Sequence, residues 1–172
     1  TGRRCNVPTI EILSKAHDRV RFDCGQKDLN AYLKRIALQH IKKNVSKTFV
    51  LAEQDEILGY YTLGSYEIVP DRLPHTYIKG FPRSSNIPGL LLGRLAVSLS
   101  HQRSGIGTRL LLDALERTHI VARNLGVFGL FVDAKDETAR AFYGKFGFLS
   151  LAENRFKMFL PIQTITSLFE TP

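Results

Sequence analysis

The sequence predicts an α/β domain whose sheet contains at least one parallel pair of strands. Two nearly continuous apolar runs, LLLGRLAV at residues 90–97 and VFGLFVDA at residues 127–134, are typical of strands buried on both faces. Between them lies an amphipathic helix pattern from Ile106 to about Asn124, which follows a glycine loop. A strand, a crossover helix and a second strand in this order form a parallel unit.

Composition limits the class of protein before any motif is considered. The 172 residues are 44% hydrophobic and 23% charged, which fits a single domain over residues 1–172. No run reaches the roughly 18 apolar residues of a membrane span, and the chain does not open on a signal-peptide pattern, so we expect a cytoplasmic protein without membrane contact. The formal net charge of +8 indicates either a polyanionic partner or simple solubility.

The cysteines and histidines do not have the spacing of a metal site. Cys5 and Cys24 stand far apart, and the five histidines are scattered along the chain. We therefore expect no metal. Cys24 lacks a neighbour that would activate a thiol, and we expect it to be a small buried residue.

The first third of the chain predicts a strand followed by a helix. Residues 18–23 have the composition of a short strand. Asp23 and Gln26 then form a capping-box pattern, in which the Asp23 side chain accepts the N–H of Gln26 and the Gln26 side chain reaches back to Asp23 at the start of a helix. Apolar residues at helical spacing continue this helix to about Ile41.

A hairpin and a long loop are predicted next. Residues 48–52 and 57–68 are rich in β-branched and aromatic residues and flank a turn at Gln54-Asp55, which is typical of an antiparallel hairpin. Residues 69–88 contain four prolines and no periodicity. Loops of this length in a compact domain are often functional.

The remaining elements follow from glycine positions and periodicity. Gly93-Arg94 interrupts the first apolar run and predicts a local irregularity in that strand. We expect Gly126 to end the long helix in a left-handed conformation. A short helix is predicted over residues 139–146 with Gly147 as its stop, and residues 156–160 predict a last strand.

The glycine loop HQRSGIG, which opens the long helix, predicts an anion site. Glycines at this position leave main-chain N–H groups free at the positive end of the helix dipole, where phosphate groups bind. The loop lacks the Gly-Lys-Ser/Thr of a Walker A loop, and Leu110 replaces the third glycine of a dinucleotide fingerprint. The alternative is a tight turn without a ligand.

Two motifs together resemble the signatures of the GNAT N-acetyltransferases. Gln102-Arg103-Ser104-Gly105-Ile106-Gly107 matches the pattern [Gln/Arg]-x-x-Gly-x-[Gly/Ala], after a buried strand and before the long helix. About 30 residues later, LFVDAKDETARAFYGKFGF resembles the second region of the family, with matches at Val132, Ala139, Tyr143, Gly147 and Phe148. Asp136 stands where the family usually has Asn, and Asp is also a natural helix cap. The resemblance implies a GNAT fold: a central, mixed and mostly antiparallel sheet with a splayed parallel strand pair, flanked by helices.

The resemblance also implies the donor substrate and the residues that hold it. Acetyl-CoA would bind with its diphosphate on the loop and its pantetheine arm paired to the backbone of Leu95 and Val97, and the Val97 N–H would polarise the acetyl carbonyl. Tyr143 would protonate the departing thiolate, or, alternatively, belong only to the core. The implied cofactor-binding residues are Leu95, Val97, Gln102, Arg103, Ser104, Gly105, Ile106, Gly107, Thr108 and Asp136.

A closer resemblance narrows the acceptor. CGQKDLNAYL, TFVLAE, GYYTLGS, LLLGRLAVSLSHQRSGIG and AFYGKFGF are similar to the TacT-type GNAT toxins of bacterial toxin–antitoxin pairs. That family implies acetylation of the α-amino group of aminoacyl-tRNA, which blocks translation, with neutralisation by a ribbon-helix-helix antitoxin and a homodimeric state. An α-amine titrates near 8, so a strong base is dispensable; Glu67 is a possible base and more often a solvated surface residue.

The basic residues supply possible tRNA contacts. Cations hold phosphates without selecting sequence, and each of these residues alternatively belongs to an ordinary solvated face. Two other functions remain open, an acetyltransferase for a small amine or a protein N-terminus and a non-catalytic nucleic-acid-binding module. The predicted tRNA contacts are Lys34, Arg35, Lys42, Lys43, Arg72, Lys79, Arg83 and Arg94.

Overall fold

A computed structural model describes residues 7–170; Cys5 lies outside the described residues. Helices and strands alternate along most of the chain, and two short 3₁₀ turns stand at Pro70–Arg72 and Leu99–His101. The elements are β1 (Thr9–Ile12), α1 (Lys27–Arg35), α2 (Ala37–Lys42), β2 (Lys47–Glu53), β3 (Glu56–Ile68), α3 (His75–Ile78), β4 (Ile87–Val97), α4 (Ile106–Ala122), β5 (Gly129–Asp133), α5 (Glu137–Lys145), β6 (Leu149–Ser150), β7 (Lys157–Pro161) and α6 (Ile162–Phe169).

Seven strands form one mixed sheet in the order β1-β2-β3-β4-β5-β7-β6. The pairs β1·β2, β2·β3, β5·β7 and β6·β7 are antiparallel, while β4 and β5 are parallel and joined by the crossover helix α4. This confirms the predicted mixed, mostly antiparallel sheet, the hairpin, and the parallel unit around the glycine loop. The buried strand and helix patterns in the second half of the chain are also confirmed.

Residue contacts divide the chain at Gly64, Gly93 and Ala114 into two compact units. The first unit comprises the residues up to Gly64 together with Arg94–Ala114. Its core packs the apolar faces of α1 and α2 on strands β2 and β3, and Leu33, Val50 and Tyr60 are fully buried there. Burial of a side chain of this size stabilises the fold by about 1.5–3 kcal/mol. Tyr60 keeps its hydroxyl satisfied by donating to the carbonyl of Leu29 at 2.8 Å.

The second unit comprises Ser65–Gly93 and the residues from Leu115 onward. Aromatic rings form much of its core: Phe159 is fully buried and stacks on Phe131, with ring centroids 5.8 Å apart. Tyr77, from the long loop, packs edge-on against Phe159 at 5.3 Å. The long loop is therefore anchored to this core by an aromatic side chain. The loop also contains helix α3.

The prediction of a strand over residues 18–23 is wrong. Only Asp18 forms a bridge there, to Glu56, and the edge strand of the sheet is instead β1. The Asp18 carboxylate accepts the N–H groups of Val20 and Arg21 at 3.0 and 3.1 Å. A side chain that bonds its own neighbouring backbone in this way bends the chain into a turn and competes with strand pairing.

The prediction of a capping box formed by Asp23 and Gln26 is also wrong, although helix α1 does begin directly after Gln26. Asp23 accepts from the N–H of Gly25 and from the side chain of Asn30, both at 2.8 Å, so it is not the cap. Gln26 is the N-cap and makes no side-chain cap bond. The single helix predicted to about Ile41 is broken at Ile36, where φ is −114°.

The long helix ends earlier than predicted and without a left-handed glycine. Helix α4 stops at Ala122, and the N–H groups of Asn124 and Leu125 close its last turn on the carbonyl of Val121. Gly126 does not have a positive φ, so its predicted role is wrong. Gly147, by contrast, ends α5 with a φ of 91° as predicted. In the part of the chain that the structure describes, none of the helices has the length and apolar character to span a bilayer.

Candidate active site

The loop before α4 presents six consecutive main-chain N–H groups, those of Arg103–Thr108, that have no acceptor among the described residues. The next N–H, that of Arg109, makes the first helical bond, to the carbonyl of Gly105 at 3.0 Å. The first turn of this 17-residue helix contains no acidic residue. The unpaired donors and the helix dipole therefore act together and favour an anion with several oxygens. We call residues 103–108 the amide nest.

Two left-handed residues shape the amide nest. Arg103 has a φ of 63° and Gly105 a φ of 82°, and left-handed residues within a turn orient neighbouring N–H groups to one side. A Cβ at Gly105 would meet no atom within 4 Å, so glycine is needed there for its backbone conformation and not for space. The Ser104 hydroxyl donates to the carbonyl of His101 and so fixes the turn that precedes the helix.

The side chain of Gln102 connects the amide nest to strand β4. Its Nε2 donates to the carbonyl of Val97 at 3.1 Å and to that of Cys24 at 3.3 Å. The N–H of Leu99 donates to the carbonyl of Asp23 at 2.9 Å. The carbonyl groups of residues 23–24 thus hold the loop in position. No local sequence pattern predicts this role. Cys24 is buried as predicted.

The parallel ladder between β4 and β5 is short. It pairs Leu90, Leu91 and Leu92 with Leu130, Phe131 and Val132, and it ends directly before Gly93, whereas β4 continues to Val97. The predicted irregularity at Gly93-Arg94 coincides with this end of the ladder. Leu95 and Val97, predicted to bind the pantetheine arm, are both half-buried residues beyond it.

Tyr143 is buried on helix α5, with only 7% of its surface exposed. Its ring packs against Phe142 and Phe148, with centroids 5.3 and 5.4 Å away. The hydroxyl makes no hydrogen bond within residues 7–170 and is therefore available to a ligand. Burial raises the pKa of this hydroxyl above its ordinary value, so the phenol keeps its proton at physiological pH.

Helix α5 is positioned by the residues at its two ends. The Asp136 carboxylate is the N-cap and accepts the N–H of Ala139 at 2.8 Å, which is the capping function open to an aspartate at this position. Gly147 terminates the helix. The contact of Asp136 with acetyl-CoA stays a prediction.

The raised pKa values of Tyr143 and Tyr60 predict lower stability at high pH. Burial is the largest cause of both shifts. In the unfolded chain these hydroxyls titrate near pH 10, so the folded state binds more protons above that pH. The free energy of unfolding should be constant below about pH 10 and then fall, by at most about 1.4 kcal/mol per pH unit for each group. Urea unfolding between pH 9 and 11 should show a shallower fall for Tyr143→Phe, and parallel curves would contradict this.

Seven of the eight predicted tRNA-binding cations are exposed, and none of the seven forms an ion pair with another described residue. Four of them, on α1 and after it, belong to the first unit, and three belong to the second. The structure therefore leaves all seven available for phosphate contacts. They are Lys34, Arg35, Lys42, Lys43, Arg72, Lys79 and Arg83.

Arg94 differs from the other seven cations. Its guanidinium carbon lies 3.6 Å from the centroid of the Tyr32 ring, a cation–π contact that holds the side chain in place. The Tyr32 hydroxyl is in turn hydrogen-bonded with His40 Nδ1 at 3.1 Å and Ser46 Oγ at 3.3 Å. Arg94 is thus a half-buried and preoriented cation.

Glu67 does not have the surroundings of a general base. It is exposed, and its carboxylate accepts from the side chain of Asn86 at 3.3 Å. Asn86 directly precedes β4, whereas Val97 is the last residue of that strand. The Glu67 carboxylate is therefore exposed and lies beside the start of β4, not at its end. This supports the interpretation of Glu67 as a solvated surface residue.

The class of protein follows from the order of elements and from a comparison with known proteins. Along the chain, a short parallel strand pair, an amide nest that opens the crossover helix and a buried tyrosine on the next helix occur in the order that the predicted GNAT domain requires. The family model described as acetyltransferase (GNAT) domain matches residues 44–149, which is more than half of the chain. The chain belongs to the GNAT family of acetyltransferases.

Several relatives are similar over nearly the whole chain. The tRNA-acetylating toxin of Mycobacterium tuberculosis is 33% identical over 136 residues, which cover 79% of this chain and 81% of the relative. The solved structure of AtaT complexed with acetyl-methionyl-tRNAfMet is 34% identical, covers 94% of this chain and 99% of its own, and has a TM-score of 0.86. A Tyr-to-Phe variant of AtaT bound to the C-terminus of the antitoxin AtaR and acetyl-CoA is 33% identical, covers 94% and 97%, and has a TM-score of 0.80.

Proposed function

We propose that this GNAT enzyme is a toxin that transfers an acetyl group from acetyl-CoA to the α-amino group of aminoacyl-tRNA and thereby blocks translation in the cytoplasm. The observation that carries the donor half of the proposal is the amide nest, because its six N–H groups match the many oxygens of a diphosphate. The tRNA half is supported by the names of relatives that are 33–34% identical over most of the chain. It is also supported by the net charge of +8.

The chain's own residues bind and orient the donor, which supplies the acetyl group as an activated thioester. Arg103, Ser104, Gly105, Ile106, Gly107 and Thr108 bind the diphosphate through their N–H groups. Leu95 and Val97 pair with the pantetheine arm through their backbones, and the Val97 N–H polarises the acetyl carbonyl. Gln102 is a positioning residue, since its side chain holds the carbonyl of Val97.

Tyr143 provides the proton that completes the transfer. The acceptor nitrogen forms a bond to the acetyl carbon, the carbon–sulfur bond breaks, and Tyr143 protonates the departing sulfur. The amine releases its proton to solvent, and the Tyr143 phenolate regains a proton from solvent. An α-amine titrates at about 7.7–8.0 and is substantially neutral at working pH, whereas a lysine side chain titrates near 10.4 and would require a base. The exposed position of Glu67 therefore does not limit an α-amino acceptor.

The exposed cations of α1 and α2 are proposed to hold tRNA phosphates. Replacing Lys34, Arg35, Lys42 and Lys43 together by glutamate should weaken tRNA acetylation and flatten its dependence on salt, by up to about 0.9 in the logarithmic slope for each phosphate that is no longer neutralised. Initial rates at several salt concentrations measure both effects.

The control for this variant reverses four other exposed cations, Lys15, Arg123, Lys135 and Lys145. It has the same net charge, so long-range attraction is matched and only the location of the cations differs. Equal salt slopes for the two variants would remove the α1–α2 patch from the tRNA interface.

An antitoxin and a second copy of the chain complete the proposal. AtaT bound to the C-terminus of AtaR supports a cognate antitoxin for this chain, and we propose that it is of the ribbon-helix-helix type and that the enzyme is a homodimer, as the family resemblance implies. Light scattering of the purified enzyme, alone and with the antitoxin, measures both assemblies. A monomer at micromolar concentration would exclude the dimer.

Mass spectrometry of a charged tRNA pool incubated with enzyme and acetyl-CoA tests the proposed function. The expected result is a gain of one acetyl group on the aminoacyl end of at least one tRNA. Acetylation of free amines or protein N-termini without RNA would instead support the alternative acceptor. Absence of transfer, with no thermal stabilisation by acetyl-CoA, would favour a non-catalytic nucleic-acid-binding module.

A further inference from the structure

Phe81 is an aromatic side chain that the proposed function does not yet use. It lies in the segment between α3 and β4 and is 44% exposed. One edge of its ring contacts Phe128, with centroids 6.1 Å apart and an interplanar angle of 77°. Its N–H donates to the carbonyl of Ile78 at 2.9 Å, which closes the end of α3. The ring is thus held along one side and open to solvent on the remainder.

The charged residues near Phe81 along the chain are all of one sign. Lys79 precedes it by two residues and Arg83 follows it by two, and both are exposed and without an ion pair among the described residues. Residues 72–88 contain no aspartate or glutamate. An isolated exposed phenylalanine needs no explanation, but a fixed aromatic face between two free cations matches what single-stranded nucleic acids bind.

We propose that Phe81 is a stacking platform for an unpaired base of the tRNA, with Lys79 and Arg83 on the flanking phosphates. The proposal rests on the proposed function, and it adds a binding site that recognises the acceptor through its bases. A tRNA has unpaired bases in its loops and at its 3′ end, and unpaired bases are recognised by stacking on aromatic side chains. Stacking tolerates any base, so this site would increase affinity without selecting one tRNA.

A tryptophan at position 81 gives a direct readout, because the natural chain contains no tryptophan. Phe81→Trp retains a stacking face, and base stacking on the indole should quench its fluorescence when tRNA is added at low salt. Leu168→Trp is the matched control: it is 55% exposed and lies on α6, which has no charged residue. Its emission should not respond to tRNA.

Kinetics with Phe81→Ala give the second readout. We expect an approximately tenfold higher KM for aminoacyl-tRNA, since one stacked base accounts for about this factor. The affinity for acetyl-CoA should be unchanged, and Phe81→Trp should restore the KM. These effects concern tRNA alone, so a variant that merely folds badly would be recognised by its loss of acetyl-CoA binding.

The outcomes separate this inference from the proposed function. If the natural chain acetylates tRNA but the emission of Phe81→Trp is unchanged by tRNA, the stacking platform is overturned and the proposed function stands. If tRNA quenches the emission of Phe81→Trp although the natural chain acetylates no tRNA, the stacking platform is supported and the proposed activity is overturned. A fluorescence response to the cognate antitoxin but not to tRNA would overturn the platform and assign Phe81 to a protein interface.

Discussion

Replacing Tyr143 by phenylalanine is expected to lower acetyl transfer to aminoacyl-tRNA by about 10²–10⁴-fold. The substitution removes only the hydroxyl and keeps the ring that packs against Phe142 and Phe148. The hydroxyl has no partner among the described residues, so no internal hydrogen bond is broken. The affinity for acetyl-CoA and the stability at neutral pH should therefore change little, and the loss should appear in kcat.

Growth arrest and single-turnover acetylation are the measurements for Tyr143→Phe. Tyr66→Phe is the matched control, because Tyr66 is a half-buried tyrosine whose ring packs on Phe131 and whose hydroxyl also lacks a partner in residues 7–170. It should retain the natural activity. A Tyr143→Phe protein that still arrests growth at equal expression would exclude this hydroxyl as the proton donor.

Replacing Gly105 by alanine is expected to weaken acetyl-CoA binding about tenfold. An L-residue at a φ of 82° carries roughly 1–2 kcal/mol of strain. The loop relieves this strain by leaving the left-handed conformation, which turns the N–H groups of the amide nest away from the ligand. Gly105→Pro should abolish binding, because proline has no N–H and fixes φ near −65°.

Gly80→Ala is the matched control for Gly105. Gly80 has a φ of 92° and, like Gly105, has no atom within 4 Å of the position of a Cβ. Both substitutions therefore introduce the same backbone strain in open space, but only one of them lies in the amide nest. Calorimetry with acetyl-CoA should find natural affinity for Gly80→Ala. Equal affinities for the two variants would mean that the amide nest does not bind the diphosphate.

The elements β4, α4, β5 and α5 were predictable from the sequence because their signals are local, whereas β6 and α6 were not predicted. Continuous apolar runs define β4 and β5, helical periodicity defines α4, and Asp136 and Gly147 define the ends of α5. Each of these signals lies within the element that it specifies. The same is true of the loop that opens α4, whose glycines predicted free main-chain N–H groups at the start of the helix.

The predictions at Asp18 and Asp23 failed because their carboxylates make hydrogen bonds that the strand and capping patterns do not specify. Asp18 and Asp23 have the composition of strand and cap positions, but their carboxylates bind nearby N–H groups and Asn30 instead. Gln102 reaches the carbonyl of Cys24, 78 positions away. The contact between Gln102 and Cys24 forms only after packing, so a sequence pattern does not contain it.

The exposure of Phe81 could not be predicted for a related reason. An aromatic residue in a proline-rich loop usually anchors the loop to a core, and Tyr77 performs that role here. Tyr77 and Phe81 have similar chemistry and lie four positions apart, and only the structure shows that Tyr77 is half-buried against the core while Phe81 is exposed.

The reliance of the amide nest on main-chain donors has an evolutionary consequence. Nearly every amino acid has an N–H group, so selection at this loop acts on backbone shape, chiefly at Gly105 and Arg103, and against proline. The side chains of Ser104, Ile106 and Thr108 are correspondingly free of the duty to hold the ligand. In the proposed binding mode, substitutions at these three positions can therefore change the surface of the loop while the N–H groups that bind the donor are retained.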